Sequence, residues 1–229
     1  MRGDESPSRS ARKAHTRERL KAAARACFAG RGYAETQISD IARTAGVAAG
    51  TLYVHFPSKE ALLDELLDEL DRELVASLEG AWRVDPARDA STALESRVRA
   101  VALACLEVWH THRELLRSFA ERATLGIDVR RIHDGVSPGA ARWLTERLRT
   151  AAPLLGGSIP RAELVAQALL GLWLRVGLAS LFDPSPPRAE LAELLTRLSL
   201  GALQGVLEFP HRTASGGGAK RSRPRRPRR

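Results

Sequence analysis

The side chains that could carry out catalysis or bind a metal are few and widely separated in this chain. Cys27 and Cys105 lie in separate helical patterns, and their spacing is not that of a metal site. His110 and His112 are two residues apart, which puts them on different faces of a helix. We therefore expect no enzyme, no catalytic site, no metal site and no cofactor. Two cysteines inside helices also favour reduced thiols and a cytoplasmic protein.

A second group of polar residues stands in a compact segment, residues 37–56, with the sequence QISDIARTAGVAAGTLYVHF. Its apolar residues recur every three or four positions up to Ala45, which predicts a short helix. Gly46 follows where a helix end favours a left-handed residue. Ala48 to His55 then form a second short helix, which Leu52 and Phe56 anchor to the core. This arrangement is a helix-turn-helix, the geometry of many DNA-reading proteins.

The join to the next element is equally distinctive. Pro57 ends the second short helix because proline has no N–H to donate, and Ser58 is a good N-cap for the helix that follows. Lys59 therefore stands at a helix N-terminus, a position that binds phosphate well. The long helix expected from Lys59 to about Glu79 carries an unbroken leucine stripe on one face.

From Thr16 to about Leu70, a quarter of the chain, the sequence resembles the N-terminal domain of the tetracycline-repressor (TetR) family of bacterial transcription regulators. The resemblance rests on the Gly-x-Gly-Tyr corner after the first helix, the helix-turn-helix, and the Tyr-x-His-Phe-Pro-Ser-Lys join. It implies the following DNA-contacting residues: Gln37, Ser39, Ala48, Ala49, Thr51, Tyr53, His55 and Lys59.

Three of the reading positions depart from the usual pattern of that family. Ala48, Ala49 and Val54 stand where the family often has hydrogen-bonding, basic or aromatic side chains. Alanine can touch a thymine methyl group but cannot donate a hydrogen bond to guanine. We therefore expect recognition to depend more on Thr51, Tyr53, DNA shape and phosphate contacts.

The fold class predicted for the whole chain is all-α, with a three-helix DNA-binding domain joined to a helical regulatory and dimerisation domain. The first helix is expected at about Thr16–Ala29, and helices after the long one at about 92–110, 112–123, 138–151, 161–182 and 188–208. The predicted domains are a flexible basic arm (1–14), the DNA-binding domain (15–60), the regulatory domain (61–210) and a disordered Arg-rich tail (211–229).

Charge is concentrated at the two ends of the chain. Residues 1–60 carry a net charge of +5, residues 61–210 of −4 and residues 211–229 of +8. A basic end on a nearly neutral body is typical of a protein that meets DNA with one end. For the tail three interpretations remain open: a solvated segment without a role, a loose phosphate clamp, and a less favoured binding to a membrane surface.

Residues 164–182, LVAQALLGLWLRVGLASLF, are apolar enough to raise the question of a membrane span. Arg175 near the middle argues against insertion, and we expect no membrane contact. The resemblance implies instead that residues 161–208 form a homodimer interface. Large side chains could line a pocket for a small, largely apolar ligand; the candidates are Cys105, Trp109, Phe119, Trp143 and Trp173.

The sequence therefore predicts a cytoplasmic, nucleoid-associated transcription regulator, a ligand-responsive repressor that binds a palindromic DNA operator as a homodimer. One alternative is a ligand-independent architectural DNA-binding protein. Another is an enzyme-like C-terminal domain, for which we find no catalytic constellation. The ligand, the operator and the regulated genes do not follow from the sequence.

Overall fold

The computed structural model describes residues 8–83, 90–124, 137–155, 157–182 and 186–208. The described part is helical, with only an isolated antiparallel bridge between Ser158 and Glu208, which confirms the all-α fold class. The helices are α1 (Arg9–Glu35), α2 (Ile38–Thr44), α3 (Ala49–His55), α4 (Lys59–Trp82), α5 (Ala90–Thr111), α6 (Arg113–Thr124), α7 (Pro138–Ala151), α8 (Ala162–Phe182) and α9 (Arg188–Val206). A short 3-10 turn, Ala152–Leu155, follows α7.

The first helix differs most from the expectation. It begins at Arg9 rather than Thr16, because Ser8 acts as its N-cap and accepts a hydrogen bond from the N–H of Ala11 at 3.2 Å. Residues 9–14 of the predicted flexible arm are therefore helical, and that part of the prediction is wrong. The helix also continues past Ala29 to Glu35, with an interruption at Gly32, whose φ is 79°.

The later helices begin and end within a few residues of the predicted bounds. The predicted Arg-rich tail and residues 125–136, between two of the predicted helices, lie outside the described residues.

Among the described residues a large hydrophobic core runs through both halves of the molecule, and a smaller cluster lies between α7, α8 and α9. The leucine stripe of α4 is buried in the large core, with Leu62, Leu63 and Leu66 fully inaccessible to solvent. Helix α4 packs against α5 and α7 of the C-terminal half, and α1 packs against α6. A buried Arg122 on α6 donates to Asp64 on α4 at 2.7 Å. The N-terminal helices are therefore attached to the C-terminal half through α1 and α4.

Helix α8 is long and apolar enough to cross a membrane, by length and composition alone. Over Ala162–Leu181 its mean hydropathy is 1.7, but only 22% of the tested window is buried in the chain. The core helix of a soluble protein passes the same test, so this finding is weak evidence for a span. Four leucines of α8 and α9 remain exposed: Leu164, Leu172, Leu194 and Leu198.

Candidate nucleic-acid interface

The turn between α2 and α3 is held by a contact from α1. Gly46 has a φ of 64°, the left-handed conformation expected for it. The guanidinium of Arg19 donates to the carbonyl oxygen of Ala45 at the end of α2. A Cβ atom on Gly46 would meet Arg19 Nη2 at 3.1 Å. Glycine at this position therefore serves both the turn and the close approach of Arg19.

The start of α2 is fixed by its own residues. Gln37 is the N-cap, and its backbone N–H donates to Asp40 Oδ2 at 3.2 Å. This hydrogen bond holds the pKa of the Asp40 carboxyl below its ordinary value. The side chains of Gln37 and Ser39 are exposed. Both predicted contact residues are therefore accessible from solvent.

Helix α3 presents its reading side to solvent. Leu52 and Phe56 are buried and anchor the helix, as expected from their spacing. Tyr53 is 57% exposed and Val54 is 71% exposed. Ala48 and Ala49 are also exposed, whereas Thr51 is half-buried. Tyr53 is therefore the one large polar side chain that α3 offers to a DNA groove.

His55 is partly withdrawn from solvent at the end of α3. Its carbonyl oxygen accepts a hydrogen bond from Arg17 Nη1 at 2.7 Å. Burial lowers the pKa of the His55 imidazole, and the charges of Lys13 and Arg17 lower it further. The imidazole is therefore neutral in the free protein near pH 7, and an adjacent phosphate would favour its protonated form.

Lys59 has structural partners that the sequence did not reveal. Its ammonium donates to the carbonyl oxygens of Tyr33 at 2.8 Å, Thr36 at 2.9 Å and Ala34 at 3.4 Å. It also lies 4.3 Å from the centroid of the Tyr33 ring. All three ammonium protons are thus directed at the end of α1. A phosphate at Lys59 would have to displace one of these carbonyls.

A groove of about 400 Å³ opens beside these residues. The N-terminal residues of α2 and α4 both border it, and the acidic Glu60 also lines it. Its lining includes predicted contact residues from three elements: Gln37, Tyr53 and Lys59. Helix N-termini favour a bound phosphate, whereas the carboxylate of Glu60 opposes one.

The C-terminal half contains an apolar cavity of about 50 Å³. Of the predicted pocket residues, Cys105, Trp143 and Trp173 line it. Trp109 and Phe119 lie in the core outside its lining. Trp109 is one helical turn beyond Cys105, where its ring packs against the backbone at Gly177. The structure therefore does not place these two residues at the cavity.

Helix α4 contributes cavity residues that the pocket prediction missed. Leu78 and Trp82 line the cavity, and the Trp82 ring meets that of Trp143 edge-on at 5.9 Å. Next to them, Glu79 accepts hydrogen bonds from Trp143 Nε1 at 2.5 Å and Arg147 Nη2 at 2.7 Å. These bonds hold the pKa of the Glu79 carboxyl below its ordinary value. The sequence signal that points to these cavity residues is the leucine stripe of α4, because the stripe predicts that one face of the helix is buried up to this end.

Residues 135–139 read Gly-Val-Ser-Pro-Gly and so fit the letters of a nucleophile elbow. In that elbow the serine stands between a strand and a helix. Ser137 instead precedes α7 in a chain whose described part has no strand, and residues 135 and 136 lie outside the description. The letter match alone therefore does not indicate a hydrolase.

The fold and the exposed side of α3 define the class of this protein, a helix-turn-helix DNA-binding protein with a helical C-terminal domain. Residues 20–66 match the family described as bacterial regulatory proteins, tetR family. The N-terminal part of the chain therefore resembles the DNA-binding domain of this family of transcription regulators.

Individual relatives agree with the family match. The chain is 28% identical to the regulator EthR of Mycolicibacterium smegmatis over 182 residues, which are 76% of this chain and 80% of EthR. It is 49% identical to the repressor KstR2 of Rhodococcus jostii over 57 residues, only 22% of this chain and 28% of KstR2. A putative TetR-family regulator from Syntrophomonas wolfei has the same fold, with a TM-score of 0.69, 17% identity, and coverage of 85% of this chain and 97% of that one.

Proposed function

We propose that this protein is a ligand-responsive transcriptional repressor that binds a palindromic operator as a homodimer in the cytoplasm, at the nucleoid. The observation that carries the proposal is the path of α4. Its C-terminal end lines the apolar cavity with Leu78 and Trp82, and its N-terminal end joins the helix-turn-helix at Lys59. A change in cavity shape would therefore move the element that positions α3.

The proposed DNA surface is the exposed side of the helix-turn-helix. Tyr53 and Thr51 would read base edges, with Ala48 and Ala49 against thymine methyl groups. Gln37, Ser39 and His55 would position the duplex through phosphates. Lys59 would do so only by exchanging one of its carbonyl partners for a phosphate.

The reading surface is tested by replacing Tyr53 with alanine. An operator is first selected in vitro from random duplexes, and wild type and variant are compared on it by footprinting and titration. We expect Tyr53→Ala to lose the specific increment in affinity while affinity for random DNA stays the same. Leu103→Ala is the control, because Leu103 is 39% exposed but belongs to α5, outside the helix-turn-helix. An unchanged footprint for Tyr53→Ala would refute the assignment of α3 as the reading helix.

The proposed dimer interface lies on α8 and α9. These helices leave Leu172 36% exposed and Leu198 41% exposed in the single chain. Covering such leucines is favourable by about 25 cal/mol per Å² of apolar surface. A two-fold dimer would place two copies of α3 about 34–36 Å apart, in successive major grooves.

Sedimentation velocity tests this interface. We expect the double variant Leu172→Glu, Leu198→Glu to sediment as a monomer. Leu103→Glu is the control, since Leu103 is 39% exposed but belongs to α5. If the double variant remains dimeric, the interface lies elsewhere.

The proposed ligand is small and largely apolar because the cavity wall is apolar. The cavity is well below the several hundred Å³ typical of ligand pockets. A ligand must therefore widen it by displacing lining side chains, among which Leu78 and Trp82 belong to α4. Such a ligand shifts DNA binding only if it binds more tightly to one arrangement of the dimer's two DNA-binding domains than to another.

Indole and benzene are suitable first probes for the cavity. Three of the four tryptophans, Trp82, Trp143 and Trp173, line it, so binding should change the intrinsic fluorescence. The same titration with operator present should show weaker DNA binding. If the probes bind but operator affinity is unchanged, the ligand response is refuted while DNA binding stands. A wild type with no preference for selected over random DNA would instead favour the architectural alternative.

A further inference from the structure

The first two turns of α1 carry an exposed basic stripe, which we define as Arg9, Arg12 and Lys13. Their spacing of three and four residues puts them on one helix face. All three side chains are exposed. Residues 8–17 include no carboxylate, and none of the described acidic groups forms an ion pair with the stripe. Within the part of the chain that the structure describes, these cations therefore have no ion-pair partner.

The location of the stripe on its helix is unfavourable in the free protein. The N-terminus of a helix carries a partial positive charge, so cations in the first turns are repelled by it. The N-cap Ser8 is neutral, and the first turn has no acidic residue. An anion outside the helix would relieve this repulsion and would also be attracted by the helix end itself.

The stripe adjoins the reading helix. Arg17, one turn after Lys13, donates from Nη1 to the carbonyl oxygen of His55 at 2.7 Å. Its guanidinium also lies 4.2 Å from the centroid of the Phe56 ring. Lys13 is close enough for its charge to act on His55. From Arg17 to Arg9 the helix extends about 12 Å further at 1.5 Å per residue.

If the duplex bound by α3 continues past Arg17 along α1, it presents its backbone phosphates to this extension. Each strand carries one phosphate per 3.4 Å of helix axis, so a 12 Å segment faces about three or four of them. The stripe supplies three cations over that length. Its reach and charge therefore suit the backbone that flanks the sequence read by α3.

We propose that Arg9, Arg12 and Lys13 form a second DNA surface that binds backbone phosphates beside the site contacted by α3. The proposal rests on the proposed reading surface of the helix-turn-helix. This second surface adds affinity without reading sequence. It also neutralises the unfavourable charge at the start of α1 when DNA is bound.

The test is the salt dependence of DNA binding by a triple variant, Arg9→Gln, Arg12→Gln, Lys13→Gln. Each lost phosphate contact should lower the slope of log affinity against log salt by about 0.9, so we expect a fall of about 2.7 per protomer. Random-sequence and selected duplexes should show the same fall. The control is a triple variant with the same charge change at exposed arginines far from α3: Arg72→Gln, Arg99→Gln and Arg142→Gln.

Folding is monitored separately from binding. Glutamine is a good helix former, and removing cations from a helix N-terminus should leave the melting temperature unchanged or slightly higher. A conservative variant, Arg9→Lys, Arg12→Lys, keeps the charges and should keep the wild-type slope. A triple variant that loses the slope while its helical content and melting temperature are retained therefore reports a lost contact.

Three outcomes would overturn the proposal. Equal slopes for the triple variant and the wild type would show that the stripe does not touch DNA. Equal losses in the triple variant and the control would show a general charge effect. A lost affinity for phosphatidylserine vesicles with an unchanged DNA slope would assign the stripe to a lipid surface. A failure of this proposal can be distinguished from a failure of the proposed function. The salt slope on random DNA reports the phosphate contacts of the stripe and does not depend on whether the protein prefers an operator.

Discussion

Replacing Lys59 with methionine separates two roles for a residue at the edge of the DNA surface. As a phosphate ligand, Lys59 would matter only when DNA is bound. As a cap for the end of α1, it would matter for folding itself. Its ammonium forms two good hydrogen bonds, to Tyr33 O at 2.8 Å and Thr36 O at 2.9 Å, with a third of 3.4 Å to Ala34 O.

The expected cost follows from these contacts. A hydrogen bond to a charged group contributes about 1.5–3 kcal/mol, and the lower value applies because Lys59 is only half-buried. Two such bonds amount to about 3 kcal/mol, and the contact with the Tyr33 ring adds about 0.5 kcal/mol at an exposed site. For a chain of this size each kcal/mol lowers the melting temperature by about 2–4 °C. The total of about 3.5 kcal/mol predicts that Lys59→Met melts about 7–14 °C below the wild type.

The measurement is a thermal melt by circular dichroism, paired with the salt dependence of DNA binding. Lys13→Met is the matched control, because Lys13 is exposed in the basic stripe and should lose salt slope without losing stability. If Lys59→Met melts within about 2 °C of the wild type and its salt slope falls by about 0.9 per protomer, the capping argument is refuted. Lys59 would then be a phosphate ligand.

Three further predictions concern pH, packing and the tail. Because the pKa of His55 is lowered in the native chain, the unfolded chain binds this proton at a higher pH, and the free energy of unfolding should fall as pH drops through about 6.5. Urea titrations at several pH values should show a smaller fall for His55→Gln than for the wild type. An equal fall in both proteins would contradict the assignment. Gly177→Ala should destabilise the native protein by about 1–3 kcal/mol, because the added Cβ would lie 2.5 Å from Trp109 Cζ3. Its control, Gly80→Ala, has open space around the new methyl group and should stabilise the protein by about 0.5–1 kcal/mol. Deleting residues 214–229 should weaken binding equally on all DNA sequences and flatten the salt slope, whereas a loss confined to one operator would count against a phosphate clamp.

Local sequence was enough to predict the helix-turn-helix. Gly46, Leu52 and Phe56 act through turn geometry and helical spacing, which depend on residues a few positions away. Their positions in the structure agree with the prediction, and so do most helix bounds. The start of α1 was missed because a serine cap is a weak signal beside a run of polar and basic residues.

Contacts between distant residues could not be predicted in this way. Lys59 was expected to face a phosphate, but the fold brings the end of α1 within reach of its ammonium, across more than twenty residues of chain. Cys105 and Trp109 share one side of α5, yet only Cys105 reaches the cavity because the backbone of α8 meets Trp109 first. Periodicity places residues on a face, whereas the neighbouring helix decides what that face contacts.

The sequence by itself determined the class of this protein, its helical fold and the side of α3 that it exposes. Only the tertiary structure decided that α4 connects an apolar cavity to the helix-turn-helix and that Lys59 binds backbone carbonyls. It also decided that the basic stripe begins one turn before Arg17, which contacts the end of α3. The physical reason is the range of the interactions. Capping, turns and helical periodicity act within a few residues, whereas cavities, long-range hydrogen bonds and charged surfaces arise only when distant helices pack together.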